Sequence, residues 1–339
     1  MTGIDGRVVA PGRRFSQTYT RAQADTVADS LIRRREFPQE LTFFGDGAEL
    51  WRAVTEDPGT ARFTRPRASD LLLAEHVTAL LGLLPPGPVE VLDLGPGTGR
   101  PAEGLLAGLL AAGRFGGYRA IELSPDLLTM TSTRLCAAFP AETGRMEFVQ
   151  GDFNDPTLLA ARSGDPRLLL LTGGTPFNLA DPGPLLSHLA AQLGPDDLLV
   201  LTARFDTAGR VPFGPVEAAP PLPPSHRLGL DLLDIDPAWY EPERGFTPDR
   251  HEVWSGARLN RPVTLHIDGA AARRVVELHT GDLLLLYRQL FLGRPALTGL
   301  LQRSGLRTSL FQIGRVSDVA MIVTTSGMTR TQGTNMTKR

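Results

Sequence analysis

The stretch Val89-Glu90-Val91-Leu92-Asp93-Leu94-Gly95-Pro96-Gly97-Thr98-Gly99 decides the fold. An apolar strand runs straight into a glycine-rich turn, and Arg100 to Ala112 then carries a helical pattern. Glycine lets backbone approach a ligand, because no Cβ intrudes and positive φ is cheap. A dinucleotide fingerprint would read G-x-G-x-x-G, whereas the spacing here is G-x-G-x-G. That spacing suits the amino-acid end of S-adenosyl-L-methionine better than a pyrophosphate. No Gly-Lys-Ser/Thr follows, which excludes a phosphate-binding P-loop.

Working outward, residues 68–205 alternate strand and helix patterns, the signature of a parallel α/β sheet. Strands are predicted at Val89–Asp93, Gly117–Leu123, Met146–Gly151, Arg167–Thr172 and Asp197–Ala203. Helical patterns fall near Ala68–Leu83, Arg100–Ala112, Pro125–Phe139, Thr157–Arg162 and Pro182–Leu193. Residues 207–227 are proline-rich and read as loop. Hairpin-like alternation at Arg250–Ser255, Val263–Ile267 and Arg274–Leu278 predicts an antiparallel insertion. A helix is predicted over Leu284–Ser304, followed by strands Thr308–Ile313 and Val319–Thr324. Near the start, helical patterns cover Arg21–Arg35 and Ala48–Thr55.

The expected architecture is therefore an α/β class I methyltransferase (Rossmann-like) sheet. A second α+β substrate-binding domain would come from the N-terminus and an insertion after the fifth strand. The boundaries read as residues 1–67 for the N-terminal part of the substrate domain and 68–205 for the cofactor-binding core. Residues 206–283 form the β-rich insertion, 284–326 return to the core, and 327–339 are a disordered tail.

In doubly wound sheets, ligands bind outside the carboxyl ends of the strands. Glu122, followed by Leu123, ends the second strand, where an acid accepts from ribose hydroxyls. Asp152 and Phe153 end the third, where an acid can accept from an adenine amine and an aromatic can flank the ring. Gly95, Gly97 and Thr98 form the turn. At the fourth strand end, Gly173 and Gly174 leave room for a methyl donor. Asn178 offers an amide donor and acceptor to a substrate carboxylate or amine, or else caps the next helix.

Bulk properties set limits. The chain has 339 residues, with 42% hydrophobic and 21% charged, which suffices for a sizeable core. A net charge of −2 points neither to nucleic acid nor to an anionic membrane. No secretory leader or membrane span is visible, so a cytoplasmic protein acting on a small molecule is expected. Cys136 is a lone cysteine, so no intramolecular disulfide is available. The six histidines have no metal-ligand spacing, and no metal is expected. The sequence leaves the oligomeric state open.

Several stretches together resemble the histidine-specific, S-adenosylmethionine-dependent methyltransferases typified by the ergothioneine pathway. They are Phe43-Phe44-Gly45-Asp46-Gly47-Ala48-Glu49-Leu50-Trp51, Leu94 to Thr98, Ala120-Ile121-Glu122-Leu123-Ser124, Gly151-Asp152-Phe153 and Gly173 to Leu179. The resemblance implies methyl transfer to the α-amine of an amino acid. It implies cofactor contacts at Gly95, Gly97, Glu122, Asp152 and Phe153, and an amino-acid contact at Asn178.

The chain also departs from the family. Gly281 and Leu283 align with the family's imidazole-gripping glutamate and serine, and neither makes such contacts. An imidazole would be left short of partners there, at about 1–3 kcal/mol each. Phe63 and Thr64 stand where a substrate-contacting tyrosine is expected. The reading is N-methylation of an amino acid or amino-acid-derived amine other than histidine, in specialised metabolism, with Phe63 and Leu283 lining a more apolar site. O-methylation of a hydroxyl or carboxylate, and a non-catalytic protein that kept the fold, are the alternatives. No catalytic residue stands out. His226, His251, Tyr240 and Asp206 are candidates for a general base by position alone.

Overall fold

The computed structural model describes residues 7–56, 65–160, 164–206, 217–218, 221–314 and 318–327. Phe63, Thr64, most of the proline-rich stretch and the tail from residue 328 lie outside them. In chain order the strands are β1 (Arg7–Val9), β2 (Val89–Leu94), β3 (Phe115–Glu122), β4 (Met146–Gln150), β5 (Arg167–Leu171), β6 (Leu198–Arg204) and β7 (Glu217–Ala218). They continue with β8 (Tyr240–Thr247), β9 (Glu252–Leu259), β10 (Val263–Asp268), β11 (Arg273–Leu278), β12 (Leu283–Leu290), β13 (Leu306–Ile313) and β14 (Val319–Ser326).

Seven strands form the main sheet, in the order β13-β14-β6-β5-β2-β3-β4. β2 pairs in parallel with both β3 and β5, while β14 joins β6 antiparallel. The chain leaves β2 toward β3 and later returns to its other side as β5. That reversal opens a crevice at the carboxyl ends of β2, β3 and β5. The interior strands are buried on both faces, as parallel strands covered by helices must be: all five residues of β5 are buried. One apolar cluster fills each side of the sheet.

A third cluster lies apart. Phe15, Leu31, Phe37 and Phe44 from the N-terminal segment pack with Leu228, Leu259, Leu265 and Leu286 from the insertion. Two small sheets, β1-β10-β11 and β12-β9-β8-β7, carry it. The N-terminal segment is stitched in by backbone: Leu285 N donates to the Arg35 carbonyl (2.7 Å), and Phe37 N to the Leu285 carbonyl (2.9 Å).

Three expectations need correction. Leu283–Leu290 is strand β12, and the helix starts only at Arg294, after Gly293 with Pro295 in its first turn. Four successive leucines read as a buried helix or a buried strand equally well. Pairing with β9, which buries Leu284 and Leu286, settles the matter. Residues from 284 therefore begin in the four-stranded small sheet, not in the main sheet. The proline-rich loop gives way at Pro224 to a helix, Pro224–Leu232, because proline is well tolerated in a first turn. The pattern over Ala68–Leu83 is two helices, Arg65–Glu75 and Val77–Leu83.

At the sheet edge away from the crevice, Arg167 and Asp197 form a buried pair. The guanidinium donates to Asp197 Oδ2 (2.7 and 2.9 Å) and to the carbonyls of Leu159 and Gln192 (2.6 and 2.5 Å). Asp197 also accepts from the Gly194 and Arg167 amides (2.7 and 2.8 Å), which fixes the turn before β6. Removing one member leaves a buried charge uncompensated. Asp197→Ala is expected to lower unfolding free energy in urea by about 3–5 kcal/mol. A loss below about 1 kcal/mol would show the pair to be structurally idle.

Candidate active site

The crevice is a cavity of about 470 Å³. It has three walls. The glycine turn supplies Gly95, Gly97 and Thr98; the ends of β3, β4 and β5 supply Glu122, Leu123, Asp152, Phe153, Thr172, Gly173 and Asn178. The N-terminal segment supplies Arg34, Glu36, Gln39, Glu40, Phe43 and Trp51.

Gly95, Gly97 and Gly99 all have positive φ (69°, 63° and 76°). The turn therefore presents backbone to the cavity without strain. A Cβ at Gly97 would lie 3.1 Å from Trp51 Nε1, so the indole closes directly over the turn. Trp51 in turn meets Phe43 edge-on, with ring centroids 5.4 Å apart.

Glu122 is buried at the tip of β3 and accepts from the Gly97 amide (3.3 Å) and the Ser124 amide (3.0 Å). Burial outweighs these bonds and raises its pKa to about 7. Asp93, one strand over, is also raised to about 7 by burial, although Tyr118 donates to it (2.9 Å). Ser124 caps the helix Pro125–Ala138, and its hydroxyl donates to the Phe43 carbonyl (2.7 Å). Gly45 N donates to Asp126 (2.8 Å). These two bonds hold the N-terminal segment over the crevice.

Asp152 Oδ1 accepts from the backbone amide and side-chain amide of Asn154, both at 2.8 Å, beside Phe153. Gly173 has open space where a Cβ would sit. Asn178 ends the short 3₁₀ turn Thr175–Asn178, whereas the next helix starts only at Gly183, so it does not cap that helix. Its Oδ1 is buried without a partner, as are Thr98 Oγ1 and Gln39 Oε1 on the same walls. Buried polar atoms of this kind call for a ligand.

Of the residues present, Glu122 and the Gly97 turn would hold a ribose diol, Phe153 and Asp152 would meet an adenine, and the glycine turn would take an amino-acid tail. An open α/β sheet with this edge is that of a class I S-adenosylmethionine-dependent methyltransferase, and the chain is an enzyme of that class. The family described as "Histidine-specific methyltransferase, SAM-dependent" matches residues 23–207, and the chain belongs to it.

Solved structures resemble it more distantly. A S-adenosylmethionine-dependent methyltransferase from Clostridium acetobutylicum ATCC 824 is 10% identical over 83% of this chain and 99% of that one, with TM-score 0.44. The glycopeptide N-methyltransferase MtfA, in complex with S-adenosylmethionine, is 18% identical over 75% of this chain and 93% of that one, with TM-score 0.39. Magnesium protoporphyrin IX methyltransferase from Synechocystis PCC 6803 is 13% identical over 89% and 99%, with TM-score 0.42. No curated protein matches the chain.

The remaining expected residues fall elsewhere. Gly174 is buried just behind Gly173 and turns the chain at φ 84°. Leu283 is not on the cavity wall. It opens β12 in register with Arg258, and its side chain packs over Gly256. Gly281 occupies the turn before it at φ 88°. The four candidate bases also stand off the wall: His226 stacks on Tyr287 at 4.4 Å and bonds Ser255 Oγ (2.9 Å) instead. Sequence reasoning missed Arg34, Glu36, Gln39 and Glu40 altogether. Phe43 and Trp51 were legible only as part of the family-like stretch Phe43 to Trp51.

The raised pKa of Glu122 gives a pH signature. Ribose hydroxyls donating to Glu122 would favour its charged form, so cofactor binding is expected to weaken as pH falls through about 7. Calorimetry with S-adenosylhomocysteine should show affinity dropping about tenfold from pH 8 to pH 6. Glu122→Gln should bind more weakly and lose the slope; an unchanged slope in that variant would assign the titration to another group.

Proposed function

We propose that the enzyme methylates an amine of an amino acid or amino-acid-derived small molecule other than histidine. The observation that carries the reading is Asn178 on the cavity wall near Gly173, with a buried Oδ1 that lacks a partner. An amide there can accept from an ammonium or amine and donate to a carboxylate, which is the pairing an amino acid requires.

The bound cofactor supplies an activated methyl group to a nucleophile held in line with its sulfur. The chain's task is then to position the acceptor and exclude water. Phe43 and Trp51, fixed by the Ser124 and Gly97 contacts, close the cleft on one side. The amine must arrive deprotonated, and partial desolvation between these aromatic walls favours its neutral form.

Two features support the exclusion of histidine. The segment aligned with the family's imidazole contacts, Gly281 to Leu283, contributes nothing to the wall. Among the described residues, moreover, no side chain of the insertion 221–290 lines the cavity. In this reading the N-terminal segment and the insertion share one core and form the substrate domain, and the N-terminal half makes the contacts.

Labelled S-adenosylmethionine and a panel of amino acids and amines test the proposal. Label is expected on an amine nitrogen, with histidine a poor acceptor. Label appearing only on hydroxyls or carboxylates would refute N-methylation, and efficient use of histidine would refute its exclusion. Asn178→Ala should lower kcat/KM for the acceptor about 10–100-fold while cofactor affinity holds.

A further inference from the structure

Once the cofactor's share of the cleft is set aside, the acceptor faces an uneven charge distribution. Glu36, Glu40, Glu122, Asp152 and Asp181 line the cavity, and among the described residues Arg34 is the one cation there. Glu122 and Asp152 belong to the cofactor end. Asp181 Oδ1 is taken by the Gly183 amide (2.9 Å) at the far rim.

Glu36 is neutralised within the fold. It accepts from the buried Arg288 (2.9 Å) and lies 3.5 Å from Arg34. Arg288 also holds Glu252 (3.0 Å), so this group is a structural brace between the N-terminal segment and β9 and β12. Arg34 is further occupied by Ser30 Oγ (3.0 Å).

Glu40 differs. Among the described residues no guanidinium lies within ion-pair distance of it. It sits in the short 3₁₀ turn Gln39–Phe43, whose last residue meets Trp51 edge-on, and Glu40, Phe43 and Trp51 all line the cavity. Its surface is exposed because the cleft is open there, yet the concave wall displaces enough solvent to push its pKa up; a hydrogen bond from its own backbone amide opposes the rise, Glu36 and Asp152 add to it, and the attraction of Arg34 again opposes it. Next to it in the chain, Gln39 Oε1 is buried without a donor, and so is Asn178 Oδ1, which lines the same cavity. A carboxylate without an ion-pair contact, two unpartnered carbonyl oxygens and two aromatic faces suit the same ligand: one rich in N–H donors that carries positive charge.

We infer that the acceptor carries a second, cationic group besides the amine that is methylated, and that Glu40 is the specificity-determining residue that receives it. Gln39 Oε1 accepts from the same group, and the Phe43–Trp51 wall flanks it. The substrate class is a basic amino acid or a diamine derived from one. This inference rests on the amine-methylation reading.

Paired acceptors that differ chiefly in side-chain charge test it: lysine against norleucine, and ornithine against norvaline. With the full chain and S-adenosylmethionine, the basic member of a pair should have kcat/KM at least about tenfold higher, expressed mainly in KM. Glu40→Gln should erase that preference, and Glu40→Asp should keep part of it. Both should leave S-adenosylhomocysteine affinity and melting temperature unchanged. Calorimetry of the four acceptors on the S-adenosylhomocysteine complex should show the same preference without turnover. Equal use of neutral and basic members, or a preference that survives in Glu40→Gln, overturns the role of Glu40 while amine methylation stands. If all four fail to bind and to accept label while hydroxyl or carboxylate acceptors take it, the amine reading falls and this inference with it.

Discussion

The structure depends on one buried carboxylate at one strand tip. Glu122 accepts from the Gly97 amide and from the Ser124 amide, at 3.3 and 3.0 Å. The first bond holds the glycine turn against the end of β3. The second starts the helix Pro125–Ala138, whose cap Ser124 reaches out to the Phe43 carbonyl at 2.7 Å. The glycine turn, the acid proposed to meet the ribose and the N-terminal segment that covers the crevice thus share a single corner. Burial opposes the charge on Glu122, and the pKa near 7 records that opposition. A buried carboxylate with a shifted pKa that also lines a cleft marks a candidate ligand-binding site.

The acceptor side is assembled differently. Its wall comes from the chain's N-terminal segment, but the rigidity comes from the insertion. Phe37 lies in the insertion's apolar core, Arg35 and Phe37 bond along β12, and Arg288 braces Glu36. Glu36 is thereby consumed as structure. The next acid in the segment, Glu40, lines the cleft with no guanidinium in ion-pair contact among the described residues. Long-range packing has turned a helical N-terminal stretch into a wall of the cleft without placing on it any insertion side chain among the described residues.

This division explains what the sequence could and could not reveal. The main sheet was legible because its strands are short apolar runs bounded by turn residues and separated by helices. All five parallel strands fall within two residues of their expected starts. The residues lining the crevice at Gly95, Gly97, Glu122, Asp152 and Phe153 were legible because they sit at fixed positions, at the ends of those strands. The leucine run at 283–290 was not, since an all-apolar segment lacks a period and only its pairing with β9 makes it a strand. That pairing removed Leu283 from the site as well. Glu36 and Glu40 carried no signal, because two glutamates in a polar segment look like solvated surface until the fold pairs one and leaves the other alone.

The account's central claim is that Glu122 and the glycine turn hold the cofactor, with the acceptor facing Asn178 and Glu40. A crystal structure with S-adenosylhomocysteine bound tests it most directly. The account predicts ribose hydroxyls within hydrogen-bond distance of Glu122, adenine beside Phe153 with Asp152 at its edge, and the sulfur open toward the Asn178 and Glu40 wall. A ligand bound elsewhere, or a sulfur facing away from that wall, would contradict it.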